Sequence, residues 1–121
     1  MHIRNKWDLL YHLVFGTKLK TKLLTDEIIS EIHLVFAVKI NELGGELLIA
    51  NGYEDHIHTL VTLPPKISPA VAVKHLKGYS SRILPNLRWQ RGYAAFSVDR
   101  NSLPRIMNYI KNQKQHHKHG N

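Results

Sequence analysis

Residues 46–65 read ELLIANGYEDHIHTLVTLPP. Two apolar runs, 46–53 and 56–63, are separated by only Glu54 and Asp55, and Pro64-Pro65 stops the second. Proline lacks the N–H that a sheet ladder needs, so this pair ends a strand sharply. Two strands joined by so short a link form an antiparallel hairpin. The rest of the chain arranges around it.

Upstream, WDLLYHLVF (7–15) is rich in aromatic and apolar residues, ends at Gly16 and reads as a first strand. Thr25-Asp26-Glu27 then opens a helix, with threonine at the N-cap and acids in the first turn. Ile28, Ile32, Val35, Phe36 and Ile40 keep a helical period until Gly44-Gly45. Downstream, Ser68-Pro69 starts a second helix that runs to about Leu84, before Pro85. GYAAFSV (92–98) is a fourth strand, and Ser102 to about His117 a last helix with Leu103, Ile106, Met107 and Ile110 on its apolar face. The order βαββαβ is the ferredoxin-like α+β pattern: a four-stranded antiparallel sheet with helices on one face, here with an added C-terminal helix. A length of 121 residues suits one domain spanning 1–121.

Charge divides the chain at the hairpin. Residues 1–55 hold 6 basic and 8 acidic side chains; residues 56–121 hold 11 basic side chains and one acid, Asp99. Such a basic half expects a polyanion as partner. With no cysteine, a disulfide scaffold, a thiolate zinc site and a cysteine nucleophile are excluded. No run of about 18 apolar residues is present, and the first residues, MHIRNKWDLLYHLVF, lack a signal-peptide pattern. The expectation is a soluble, cytoplasmic domain with no membrane contact.

His56-Ile57-His58 is the most informative triplet. Alternate residues on a strand point the same way, so both rings project from one face, close enough to share a divalent ion. Two ordinary strand histidines would give the same triplet. Leu60, Val61 and Leu63 nevertheless suggest a buried strand, where unpaired imidazoles are costly, and Asp55 could orient a ring. Other histidine chemistries fail at named residues. A histidine-triad hydrolase needs a third histidine where Leu60 stands, and a two-histidine phosphoesterase needs a second His-x-Ser/Thr element. A zincin needs His-Glu-x-x-His, and a zinc deaminase needs cysteines.

On the last helix Tyr109 and Gln113 are four apart and share a face. Tyrosine can act as a nucleophile in phosphoryl transfer. Glutamine offers a neutral oxygen that suits Mg²⁺ or Mn²⁺ when histidines complete the set. A tyrosine at the edge of the core and a solvated glutamine would fit the same spacing.

The segments YHLVFGTK (11–18), NGYEDHIHTLVTLPP (51–65), LKGYSSRIL (76–84), WQRGYAAFSVDRNS (89–102) and YIKNQKQHH (109–117) together carry a resemblance. In this order the chain resembles the single-tyrosine HUH transposases of bacterial insertion sequences, including their relatives associated with repetitive extragenic palindromes. The resemblance implies that His56 and His58 ligate the metal, with Gln113 third, and that Tyr109 is the nucleophile. It implies attack on a phosphodiester of single-stranded DNA near hairpins, giving a 5′-phosphotyrosine and a free 3′-OH. It also implies a homodimer with composite sites, the tyrosine helix of one subunit serving the histidines of the other. Asp55 and Asn112 are the expected supporting residues beside the ligands.

DNA contacts are expected from three segments. Lys74, Lys77, Ser81 and Arg82 on the second helix offer charge and hydroxyls for phosphates. Trp89, between Arg88 and Arg91, offers a stacking surface. Lys18 and Lys20, with Lys22, follow the first strand and could grip a hairpin. The tail HHKH (116–119) reads as a solvated extension near phosphate. Two rivals share these features: a non-catalytic binder of single strands, and a domesticated relative that nicks palindromes without moving an element.

Overall fold

The computed structural model describes residues 7–113. Strands β1 (Leu10–Gly16), β2 (Glu46–Tyr53), β3 (His56–Thr62) and β4 (Ala94–Val98) alternate with helices α1 (Asp26–Glu42), α2 (Pro69–Ile83) and α3 (Leu103–Lys111). The sheet is antiparallel with order β2-β3-β1-β4, the ferredoxin-like arrangement. β1 starts later than the apolar run suggested, and β4 spans only the end of 92–98. The end expected for the last helix, near His117, and the HHKH tail lie outside the described residues.

Local chemistry sets the element ends. Thr25 Oγ1 accepts from the Ile28 N–H (3.2 Å), and Ser68 Oγ accepts from the Val71 N–H (3.1 Å), each satisfying an otherwise orphaned helix donor. Gly44, at φ 90°, reverses the chain after α1 in a conformation that favours glycine. The β2–β3 link is the expected pair Glu54-Asp55, with Tyr53 opposite His56. Glu54 takes φ 56°, and its carbonyl accepts from the Leu24 N–H (2.8 Å). Asp55's carbonyl accepts from the Thr17 N–H (2.8 Å). The turn that begins the histidine strand is therefore clamped by the segment that follows β1.

The main core lies between one sheet face and the pair α1 and α2. Leu13 and Phe15 from β1, Ile57 and Val61 from β3, Ile32 and Phe36 from α1, and Val73 and Leu76 from α2 form it. The added C-terminal helix is not part of that layer. α3 crosses the opposite face, where Asn51 of β2 donates to the carbonyls of Ile110 and Lys111 (3.0 and 3.1 Å). Leu60, which alternates with the core residues of β3, and Ile110 of α3 are both wholly buried and lie outside the main core. The sheet is thus covered on both sides. The α3 face carries His12, His56 and His58, because residues with the parity of His58 point away from Ile57 and Val61.

Candidate active site

His56 and His58 project together, their ring centroids 5.2 Å apart and their planes at 71°. His58 is buried. Two hydrogen bonds orient the pair. His56 Nδ1 lies 3.0 Å from Asp55 Oδ1, the arrangement expected of Asp55. His58 Nδ1 lies 2.8 Å from Nε2 of His12, a β1 residue that the sequence reading passed over. Antiparallel pairing of β1 with β3 sets Val14 opposite His58 and His12 opposite Leu60, so His12 and His58 are diagonal neighbours on one face. The His12 and His58 rings meet edge to edge, with centroids 5.0 Å apart and planes at 28°. Burial pushes the His12 imidazole below its ordinary pKa.

α3 brings Tyr109 to this pair. Its ring centroid lies 5.7 Å from that of His58, edge to face, and 6.4 Å from that of His12. Tyr109 keeps 41% of its surface exposed, so solvent and a substrate reach it. Gln113, one turn on, is buried, and its amide nitrogen donates to the Tyr109 carbonyl (3.3 Å). All of this is assembled within a single chain. Asp99, the one acid of the basic half, lines a cleft of about 490 Å³ with Tyr109, Phe96 and Arg105. Its carboxylate accepts from the Ser102 N–H (2.8 Å) at the entry to α3.

A second cleft, of about 520 Å³, opens at His56 and Asp55 and includes Lys20, Arg91 and Tyr93. Lys20 and Arg91 therefore line the same cleft as His56, and Lys18 is exposed on the short turn that carries Lys20. Other expected contacts are placed elsewhere. α2 packs on the far face of the sheet, so Lys74, Ser81 and Arg82 lie on the opposite layer from the histidines. Lys77 donates to the carbonyls of Gln90 (2.9 Å) and Gly92 (2.7 Å) and thereby holds the 90–92 loop against α2. Trp89 belongs to the core. Its ring packs 4.9 Å from Phe15 and 6.5 Å from Phe36, and its Nε1–H donates to Ser80 Oγ (2.9 Å). The indole is partly buried against the core, with its polar edge tied to Ser80. Asn112 bonds to Asn108 Oδ1 (3.2 Å) on its own helix rather than to a histidine or Gln113. Besides Tyr109, the clefts are lined by the exposed aromatics Tyr93 and Phe96, 46% and 55% exposed.

A family model described as Transposase IS200 like matches residues 5–113. The chain belongs to the IS200-like transposase family. The transposase for insertion sequence element IS200 of Salmonella typhimurium is 30% identical over 127 residues, covering 95% of this chain and 83% of that relative. The ISDra2 transposase TnpA of Deinococcus radiodurans is 26% identical over 119 residues, covering 88% and 85%. Among solved structures, a Deinococcus radiodurans protein matches with TM-score 0.71 at 25% identity, over 93% of this chain and 97% of that one. A REP-associated tyrosine transposase bound to a REP hairpin shares the fold, with TM-score 0.66 at 16% identity, over 99% of this chain and 74% of that one. In this IS200-like transposase, the matched span takes in β1, the histidine strand and Tyr109.

The donor set suits a divalent cation. Two imidazoles and a carboxamide oxygen are neutral and of the kind that Mg²⁺ or Mn²⁺ accepts when waters and substrate phosphate fill the remaining positions. Among the described residues no group of three or more His, Asp or Glu side chains is gathered for a metal.

Proposed function

We propose that this IS200-like transposase cleaves and rejoins single-stranded DNA through Tyr109, next to hairpins. The observation that carries the reading is the approach of the Tyr109 ring to within 5.7 Å of His58, on the face where His56 and His58 converge. A non-catalytic binder would account for the basic half but gives no reason for that convergence.

His56, His58 and Gln113 would hold Mg²⁺ or Mn²⁺. The ion would polarise the scissile phosphate and offset its developing charge. Free tyrosine has a pKa of about 10, so the Tyr109 hydroxyl is a weak nucleophile unless the phosphate is activated and well placed. The hydroxyl oxygen attacks phosphorus, the P–O3′ bond breaks, and a 5′-phosphotyrosine and a 3′-OH result. The tyrosine proton leaves to solvent at the open side of the ring, and the 3′ oxygen takes one up. Rejoining is the reverse attack by a 3′-OH.

Lys20 and Arg91 would grip the backbone beside His56, with Lys18 at its edge. Tyr93 and Phe96 supply exposed rings for unpaired bases. Lys74, Ser81 and Arg82, on the far layer, would meet a more distant part of the duplex. The hairpin bound by the REP-associated fold neighbour supports a hairpin as the recognised shape. Joining two ends requires two nucleophiles held together, which favours a homodimer. In a composite site, Asn51 of one copy would hold the tyrosine helix of the other.

The test incubates the protein with labelled single-stranded hairpin oligonucleotides and Mg²⁺ or Mn²⁺, followed by a denaturing gel. A covalent adduct that is lost in Tyr109→Phe supports the reading. Absence of any adduct from wild type across a broad hairpin set would leave only a binding role.

A further inference from the structure

The buried His12–His58 pair is not explained by packing alone. A hydrogen bond of 2.8 Å between Nε2 of His12 and Nδ1 of His58 contains one proton, which sits on one ring or the other. The two choices have different consequences. If His12 donates, His58 accepts at Nδ1 and, being neutral, carries its own proton on Nε2. A protonated nitrogen has no lone pair for a metal. If His58 donates from Nδ1, its Nε2 holds the lone pair and can ligate, and His12 must then be the tautomer protonated on Nδ1. His56 meets the same requirement differently, by facing the carboxylate of Asp55 with Nδ1 (3.0 Å).

We infer that His12 is a positioning residue for metal binding: as a neutral hydrogen-bond acceptor it holds His58 in the tautomer and orientation that present Nε2 to a divalent cation. The inference rests on the metal-site reading given above. Three observations carry it. His12 is buried, at 8% exposure, so water does not readily replace it as partner of His58. The two rings meet edge to edge, their centroids 5.0 Å apart and their planes only 28° from parallel, the nearly in-plane geometry that the hydrogen bond needs. His12 is also braced from behind by Phe96, 5.8 Å away, its direct partner across β1 and β4. The two metal histidines thus receive different support. An acceptor carboxylate backs His56, while an uncharged acceptor backs His58 and adds no negative charge to the approach of a phosphate.

The test compares Mn²⁺ affinity, read by electron paramagnetic resonance without DNA, for wild type, His12→Gln and His12→Phe. Glutamine keeps an acceptor near the position of Nε2; phenylalanine keeps the ring and removes it. Loss of such a supporting partner should weaken metal binding about 10–100-fold in His12→Phe, with recovery to within about threefold in His12→Gln. On wild type, two-bond ¹⁵N–¹H spectra with saturating Mg²⁺ should show the His58 proton on Nδ1 and the His12 proton also on Nδ1, a readout independent of how the variants fold. Unchanged Mn²⁺ affinity in folded His12→Phe, or a His58 proton on Nε2 in the Mg²⁺ form, overturns the role of His12 while leaving the metal site standing. Failure of wild type to bind Mn²⁺ overturns both.

Discussion

The side-chain amide of Asn51 donates to the Ile110 carbonyl at 3.0 Å, tying the end of the tyrosine helix to the strand beside His58. The same nitrogen reaches the Lys111 carbonyl at 3.1 Å. Backbone carbonyls in the last turn of a helix have no partner within it, so these two bonds cap α3 and dock it in one step. Tyr109 immediately precedes Ile110, so its position depends on this anchor.

Asn51→Ala should therefore loosen α3 by about 1–2 kcal/mol, the net worth of two partly exposed hydrogen bonds. Amide exchange at residues 108–111 should accelerate while that of β1 and β3 stays slow. Adduct formation should fall more than hairpin affinity, because the basic cleft at Lys20 and Arg91 is untouched. Equal losses in both would show that Asn51 supports the whole domain.

Two glycines predict opposite outcomes. A Cβ at Gly52 would lie 2.2 Å from the His56 carbonyl, a backbone atom that cannot swing aside. Gly52→Ala should cost about 3 kcal/mol, or prevent folding, by pushing β2 off the histidine strand. Gly78 lies inside α2 with nothing within 4 Å of the added carbon. Gly78→Ala should stabilise by about 1 kcal/mol through helix propensity, with adduct yield unchanged. Thermal melts of both proteins check the pair.

The basic residues divide by salt dependence. Alanine at Lys20 or Arg91 should each lower the slope of log affinity against log salt by about 0.7 for single-stranded DNA, one phosphate contact apiece. Lys77→Met should leave that slope unchanged and instead cost about 1–2 kcal/mol of stability, because its ammonium holds the Gln90 and Gly92 carbonyls. A reduced slope in Lys77→Met would return that residue to the DNA surface.

The homodimer reading with composite sites expects an equimolar mixture of Tyr109→Phe and His56→Ala proteins to regain adduct formation, whereas a mixture that stays inactive would keep Tyr109 and His58 in one chain, where their rings lie 5.7 Å apart. Recovered activity would show that the Asn51 anchor forms between copies and that the sites are composite.

Much of this was legible locally. The apolar runs on either side of Glu54-Asp55, the caps at Thr25 and Ser68 and the double proline after Leu63 act over a few residues, so the order βαββαβ follows from neighbours in the chain. The parity of His56 and His58 follows from the strand period alone, as does the pairing of Tyr109 with Gln113 from the helical one. Side-chain partnership across the sheet does not. Trp89 beside two arginines looks the same in sequence whether its ring meets a base or Phe15 and Phe36, and Lys77 looks like any helix lysine until Gln90 and Gly92 fold back over it. The elements, their order and the residue types that carry the chemistry can be read along the chain, because backbone propensity and hydrophobic period are short-range. That α3 crosses the histidine face, that His12 backs His58, and that Lys20 and Arg91 line the cleft at His56 while Lys77 bonds to Gln90 and Gly92 emerged from the assembled fold. Those outcomes depend on strand register and on which sheet face a helix covers, set by contacts between residues some 46 to 60 positions apart.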